Sequence, residues 1–134
     1  MKSESLLKIA GGFSFFFFLF HVPFYWLFNW DESLASLNVN DWAIVMCFNV
    51  ICIGLLFFMS YVSFFCAKDV MDTHLGRSFS AFAAGFYYFR IAAEFIFFDE
   101  PDMVVSSIVI VLCLIPALLY SMPFFQQNRV GEKR

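Results

Sequence analysis

The sequence predicts an all-α fold, a polytopic membrane protein built as a bundle of four transmembrane helices, and three observations predict it. Of 134 residues, 62% are hydrophobic and 14% charged, with a mean hydropathy of +0.79, more apolar surface than so small a body can bury in water. Four apolar runs each reach about the 20 residues a helix needs to cross a bilayer. Lys and Arg gather on alternate connections, the pattern that sets membrane orientation. None of the runs alternates with a period of two, so barrel strands are excluded. The chain reads as one membrane domain over residues 1–134.

The first span runs from Leu6 to Phe28, interrupted by Lys8 and His21, and holds the run Phe15-Phe16-Phe17-Phe18. It continues past signal-peptide length through Pro23, Tyr25 and Trp26 with no small-residue cleavage site, so it is expected to stay in the protein. The second span is Trp42 to Phe65, the third Phe79 to Phe98, and the fourth Val104 to Phe125. Pro23 and Pro116 fall inside the first and fourth spans, where each removes a helical hydrogen bond and predicts a kink. Between the second and third spans, Lys68 to Arg77 is mixed in charge and reads as a solvated connection; the tail from Gln126 to Arg134 reads as polar and mobile.

Orientation follows from the basic residues. Asn29 to Asp41 and Asp99 to Met103 contain no Lys or Arg but carry Asp31, Glu32, Asp41, Asp99, Glu100 and Asp102, whereas Lys2, Lys8, Lys68, Arg77, Arg129, Lys133 and Arg134 lie at the other ends. Both termini are therefore expected in the cytoplasm. Trp26, Trp30 and Trp42 sit near the outer ends of their spans, where an aromatic belt belongs.

Several classes of chemistry are excluded. A net charge of −3 without a basic patch argues against nucleic acid. Cys47, Cys52, Cys66 and Cys113 lack the spacing of a zinc or dithiol site, and no metal site is expected. His21 and His74 fall about 20 Å apart across the bilayer, so one chain does not supply a bis-histidine haem.

An ionisable group in hydrocarbon is expensive and faces the interior of a bundle. His21, Arg90 and Glu94, with the polar Asn49, are therefore the candidate site. A rise of about 1.5 Å per residue puts Glu94 about 6 Å, His21 and Asn49 about 10 Å, and Arg90 about 12 Å below the outer ends of their spans. Helical spacing aligns Ala83, Tyr87, Arg90, Glu94 and Phe97 on the third span and Ser14, Phe18, His21 and Tyr25 on the first. The second offers Asn49, Cys52, Leu56, Ser60 and Ser63, and the fourth Ser106, Cys113, Ala117 and Tyr120. These seams converge on His21, Tyr25, Asn49, Tyr87, Arg90 and Glu94. Two readings of the cluster stand: a buried network that fixes helix pairing, or a pocket toward the outer leaflet with Arg90 as an anion or carbonyl binder and His21 or Glu94 as a proton carrier.

The segment Phe20-His21-Val22-Pro23-Phe24-Tyr25-Trp26-Leu27-Phe28-Asn29-Trp30, with Asn49, Arg90 and Glu94-Phe95-Ile96-Phe97-Phe98 downstream, resembles a group of small bacterial four-helix membrane proteins of uncharacterised function. The likeness covers the first three spans. It implies a bacterial inner-membrane protein and assigns no activity, cofactor or residue role. The expected function is a ligand-binding or accessory subunit, with the bilayer, a lipophilic ligand, and partner membrane subunits or further copies of the chain as partners. The alternatives are an integral-membrane enzyme acting on a quinone or isoprenoid lipid, and a small transporter component. The last needs polar residues through the inner half, where the sequence offers Ser60, Ser63, Ser80, Tyr120 and Ser121.

Overall fold

The computed structural model describes residues 3–97 and 102–131, with side chains over 4–97 and 102–122. Within those residues the fold is all-α, with seven helices: α1 (Ser3–His21), α2 (Phe24–Leu27), α3 (Trp30–Ser33), α4 (Val39–Phe65), α5 (Ala67–Asp72), α6 (His74–Phe97) and α7 (Met103–Gly131). Lys2, Phe98, Asp99, Glu100, Lys133 and Arg134 lie outside the described residues, as does the side chain of Arg129.

The first helix stops seven residues earlier than the sequence predicts. Pro23 ends it rather than kinking it: proline has no N–H to continue the ladder and drives the residue before it out of the helical region. The chain restarts as α2, whose first N–H groups, from Trp26 and Leu27, donate to the Pro23 carbonyl at 3.0 and 2.8 Å. Asn29 then adopts the left-handed conformation, φ 46° and ψ 56°, which asparagine tolerates better than other side chains, and its Nδ2 donates to Glu32 Oε2 at 2.7 Å. Asn38 caps α4 by accepting from the Asn40 and Asp41 N–H groups, both at 3.0 Å, so α4 begins at Val39 rather than Trp42. Asp102 caps α7 in the same way, accepting from Val104 and Val105.

The connection after α4 is helical rather than a plain solvated loop. Ala67 and Val70 of α5 are buried, and α5 packs on α1, α4 and α6. The close approach depends on Gly76, where a Cβ would fall 2.1 Å from the Val70 carbonyl oxygen. Thr73 joins the two helices, its hydroxyl donating to the Asp69 carbonyl at 2.8 Å and accepting from the Gly76 N–H at 3.0 Å. At the other end of the chain α7 continues as helix through the segment expected to be a mobile tail. Pro116 sits inside it, fully buried.

The long helices pack α4 on α1, α1 on α7 and α7 on α6. Each of these pairs is antiparallel or closed by short-range matches: Phe18 meets Phe57 and Asn49 meets His21 across α1 and α4, while Glu94 meets Ser106 and Phe79 meets Tyr120 across α6 and α7. Gly11 sets the α1–α4 crossing, since a Cβ there would lie 2.6 Å from Ser63 Cβ. Small residues let helix backbones approach in this way. The core is formed by Leu7, Ala10, Leu56, Met59, Ala83, Ala84, Tyr87, Cys113, Ala117 and Tyr120 together with Ala67 and Val70.

Two helices, α4 and the Met103–Met122 part of α7, are long and apolar enough to cross a membrane, yet only 17% and 28% of their apolar windows are buried inside the protein. Among the described residues α1 and α6 do not reach that standard. Glu4 and Lys8 lower the apolar character of α1, and Arg77, Arg90, Glu94 and several hydroxyls lower that of α6.

Candidate functional site

Polar side chains enter the bundle at two levels. The deeper level is a set of hydroxyls, one from each long helix. Ser14 Oγ of α1 lies 2.9 Å from the Tyr87 hydroxyl of α6 and 3.0 Å from the Tyr120 hydroxyl of α7; Tyr120 lies 2.8 Å from Ser63 Oγ of α4. Ser63 in turn donates to the Met59 carbonyl at 2.7 Å. A carbonyl only accepts, so when Ser63 gives its proton to Met59 it accepts from Tyr120; the single Ser14 proton goes either to the Ala10 carbonyl at 3.3 Å or to Tyr120, and when it goes to Tyr120, Ser14 accepts from Tyr87. The chain of donors then runs in one direction across four helices. All four side chains are buried.

The two tyrosines meet for a reason of helix geometry. Side chains lean toward the N-terminus of their own helix. Because α6 and α7 are antiparallel, Tyr87 and Tyr120 lean toward each other, and their rings stack with centroids 6.2 Å apart and planes 13° apart. Two turns before Tyr87, Ser80 is fully buried, and its Oγ has no hydrogen-bond partner among the described residues. Ser63, Ser78, Ser107 and Ser121 all donate to the carbonyl four residues back, the usual way a helix carries serine in apolar surroundings.

The second level holds the charges. Arg90 Nη1 is 2.8 Å from Glu94 Oε2 one turn along α6. The other Glu94 oxygen accepts from the Ser106 hydroxyl of α7. Glu94 is buried, whereas the Arg90 side chain is 39% exposed. The Arg90 charge acts on His21 of α1, Cys52 of α4 and Cys113 of α7, so all four long helices contribute to its surroundings. His21 Nδ1 is 2.8 Å from the Phe17 carbonyl, and its ring stacks on Phe24 with centroids 4.2 Å apart. Asn49 Nδ2 donates to the His21 main-chain carbonyl at 3.4 Å, a long bond that ties α4 to the end of α1.

Of the six residues that the sequence converges on, four belong to this level: Arg90 and Glu94 as a pair, His21 beside them, and Asn49 through the His21 backbone. Tyr87 belongs to the hydroxyl chain instead. Tyr25 lies outside the bundle, because α1 ends at His21 and carries Tyr25 into α2, where its hydroxyl donates to Asp31. That bond to a carboxylate pushes the Tyr25 phenol above its ordinary value near 10. Ser14, Ser63, Ser106 and Tyr120 carry much of the polar connectivity and were legible only as packing residues on the seams. Spacing marks the face of a helix, but which hydroxyl meets which depends on how four helices are arranged.

Two surface recesses differ from this site in being lined by apolar residues. One, about 500 Å³, lies between α1 and α7 against Ile9, Gly12, Phe13, Phe16 and Leu112. The other, about 260 Å³, follows α4 along Ala43, Ile44, Cys47, Phe48 and Ile51. Among the described residues no three His, Cys, Asp or Glu side chains are grouped to hold a metal ion.

The fold and the site together define an all-helical protein with two helices able to cross a membrane and a charged pair set among apolar helices. Comparison with protein-family models, curated proteins and solved structures gives no match.

Proposed function

We propose that the chain is a multi-pass protein of a bacterial inner membrane, one membrane domain whose four long helices all cross, with both termini in the cytoplasm. It belongs in this reading to the small four-helix membrane proteins that its first three spans resemble, and it works as a ligand-binding or accessory subunit through the polar site in the outer half. The sorting of charge supports the orientation: Asp31, Glu32, Asp41 and Asp102 lie at one end of the helices and Lys8, Lys68 and Arg77 at the other. The apolar side chains that α4 and α7 turn outward support a lipid surround, since water would leave them unsatisfied.

The observation that carries the functional part is the Arg90–Glu94–Ser106 arrangement. A buried carboxylate is costly unless paired and hydrogen-bonded, and Glu94 has both kinds of support. Its cationic partner is half-exposed at the side of the bundle, so a ligand reaches the guanidinium without the helices separating. Planar guanidinium suits carbonyl or anionic oxygen.

Mass spectrometry of the protein extracted in mild detergent tests the reading. A retained lipophile or partner chain is expected for the native sequence, and its loss is expected in the assembled Arg90→Met/Glu94→Leu double variant. Equal retention by that variant would sink the site. Topology has a separate test: a cysteine placed at Ser36 should react with an impermeant maleimide added outside intact cells, and reaction only from the cytoplasmic side overturns the orientation.

A further inference from the structure

Helix α1 carries two adjacent glycines in opposite settings. Gly11 is required by a neighbour, since a Cβ there would fall 2.6 Å from Ser63 Cβ. At Gly12 a Cβ would meet nothing within 4 Å, so no contact inside the protein calls for the missing side chain, although glycine weakens a helix interior relative to alanine. Gly54 and Gly85 have the same freedom, but of these three only Gly12 lines one of the two surface recesses. That recess is the hollow of about 500 Å³ between α1 and α7, walled by Ile9, Phe13, Phe16 and Leu112.

Its shape narrows what can lie there. Ile9, Gly12 and Phe16 fall on one stripe of α1, so the hollow follows the helix axis for about 10 Å, roughly two thirds of the hydrocarbon depth of one leaflet. A second helix does not fit it: close helix packing needs small residues on successive turns, and four residues to either side of Gly12 stand Lys8 and Phe16. One glycine among bulky neighbours leaves a slot for a chain of methylenes. The slot is polar at its N-terminal end. Ser5 continues the stripe by one more turn and is exposed. Lys8 is exposed as well and makes no ion pair with any described residue; its side chain leans toward the N-terminus, away from the apolar walls. Glu4 lies one turn farther out and farther round the helix from the slot.

We infer that the α1–α7 recess seats one acyl chain of an anionic phospholipid of the cytoplasmic leaflet, with the lipid phosphate on the Lys8 ammonium. The inference rests on the membrane placement and orientation proposed above, which put the Lys8 end at the cytoplasmic surface, and not on the Arg90 site. Charge chooses the head group: anionic lipid attracts a cation at the membrane surface, and no described carboxylate pairs with Lys8. The walls choose the tail, since Ile9, Phe13, Phe16 and Leu112 offer an acyl chain apolar contact and no hydrogen bond. Gly12 gains a role in this arrangement. It lets the chain approach the α1 backbone, where any side chain would push it off the helix.

The test uses the full chain in dodecyl maltoside micelles with a phosphatidylglycerol that carries a diazirine in one acyl chain, the labelled peptides being located by mass spectrometry. Label is expected to concentrate on residues 9–16 rather than on the exposed apolar face of α4. Dioleoylphosphatidylglycerol should displace it about fivefold better than dioleoylphosphatidylcholine, the weight of one cation at an anionic surface. Gly12→Leu, which has open space around it within the protein, should fill the slot and lose that label with the helix content unchanged; Leu112→Trp fills the slot from α7 if Gly12→Leu does not assemble. Lys8→Gln should keep the label and bring the two lipids to equal competition. Label spread evenly over α1 and α4, equal competition by the two lipids on the native chain, or undiminished label in the filled variant overturns the inference. So does a Gly12→Cys chain that forms disulfide dimers excluding the probe, since a second copy then covers this face. If the cysteine at Ser36 reacts from outside, each of these results removes the lipid site and leaves the membrane reading standing; if it reacts only from the cytoplasmic side, Lys8 belongs to the other leaflet and both fall.

Discussion

Two turns of α6 separate Tyr87 from Glu94, about 10 Å along the axis, yet the polar groups at these two levels are built on opposite plans. Around Ser14 every group is a neutral hydroxyl, each long helix contributes one, and burial is complete. Around Arg90 the groups are charged, Glu94 is held by Arg90 of its own helix and Ser106 of α7, and the cation is half-exposed. Hydroxyls join helices without requiring counter-charges, so they suit the centre of an apolar bundle. A charge needs either full pairing or access to something outside, and the Arg90 level has the exposure that access requires.

This contrast can be broken from either side. The largest effect is expected from Glu94→Leu alone, which leaves the Arg90 cation without its carboxylate: a loss of about 3 kcal/mol, at the low end for a broken buried pair because the guanidinium is half-exposed. Adding Arg90→Met should recover most of that loss, and the denaturation midpoints of the three proteins in mixed micelles measure it. If the double variant is no better than the single, the pair is not acting as a unit. At the deeper level Ser14→Ala should cost about 2 kcal/mol, since it removes the shared partner of Tyr87 and Tyr120. Tyr120→Phe should cost less, about 1 kcal/mol, because Ser14 and Ser63 retain their own backbone carbonyls at 3.3 and 2.7 Å. Non-additivity in the Ser14→Ala/Tyr120→Phe cycle would confirm a connected chain.

Smaller effects sharpen the boundaries of the two levels. Ser80→Ala removes a buried hydroxyl that has no partner among the described residues, so stability should rise by about 1 kcal/mol; a fall would mean that the hydroxyl is in use. Tyr25 marks where the outer level ends. Its phenol is raised by the bond to Asp31, so that bond contributes fully below the ordinary tyrosine value near 10 and is lost as pH rises through the higher folded value. In an ultraviolet titration Asp31→Asn should bring one late-ionising tyrosine back toward the ordinary range while leaving the Arg90 site unchanged. An unaltered titration in Asp31→Asn would remove the α2–α3 contact from the account.

The helical class and the position of the charged residues were legible because both follow from local properties. Apolar runs read as helices by length, and Arg90 and Glu94 are one turn apart in any helix. The seam of the fourth span was legible too: Ser106, Cys113, Ala117 and Tyr120 all emerge buried. The end of α1 was not, since a proline inside an apolar run permits a kink or a stop, and the break shows only in the fold, where α1 ends at His21 and α2 begins at Phe24. That decision moved Tyr25 out of the site. Nor did the segment Ala67–Asp72 announce its burial, because its contact with Gly76 comes from the angle between two helices rather than from any apolar period. The partners of Ser14 lie 73 and 106 residues away, beyond the reach of spacing rules.

Those separations govern how the protein is made. The ribosome releases α1 first, and Ser14 emerges with only the Ala10 carbonyl for its hydroxyl. Tyr87 arrives much later and Tyr120 last of all, so the donor chain has no complete form until the final helix is in place. A nascent protein stalled before α7 also lacks Ser106, the hydroxyl that holds Glu94. Quality control that senses unpaired polar groups between helices would therefore have one late event to read, the docking of α7, which completes both polar levels at once.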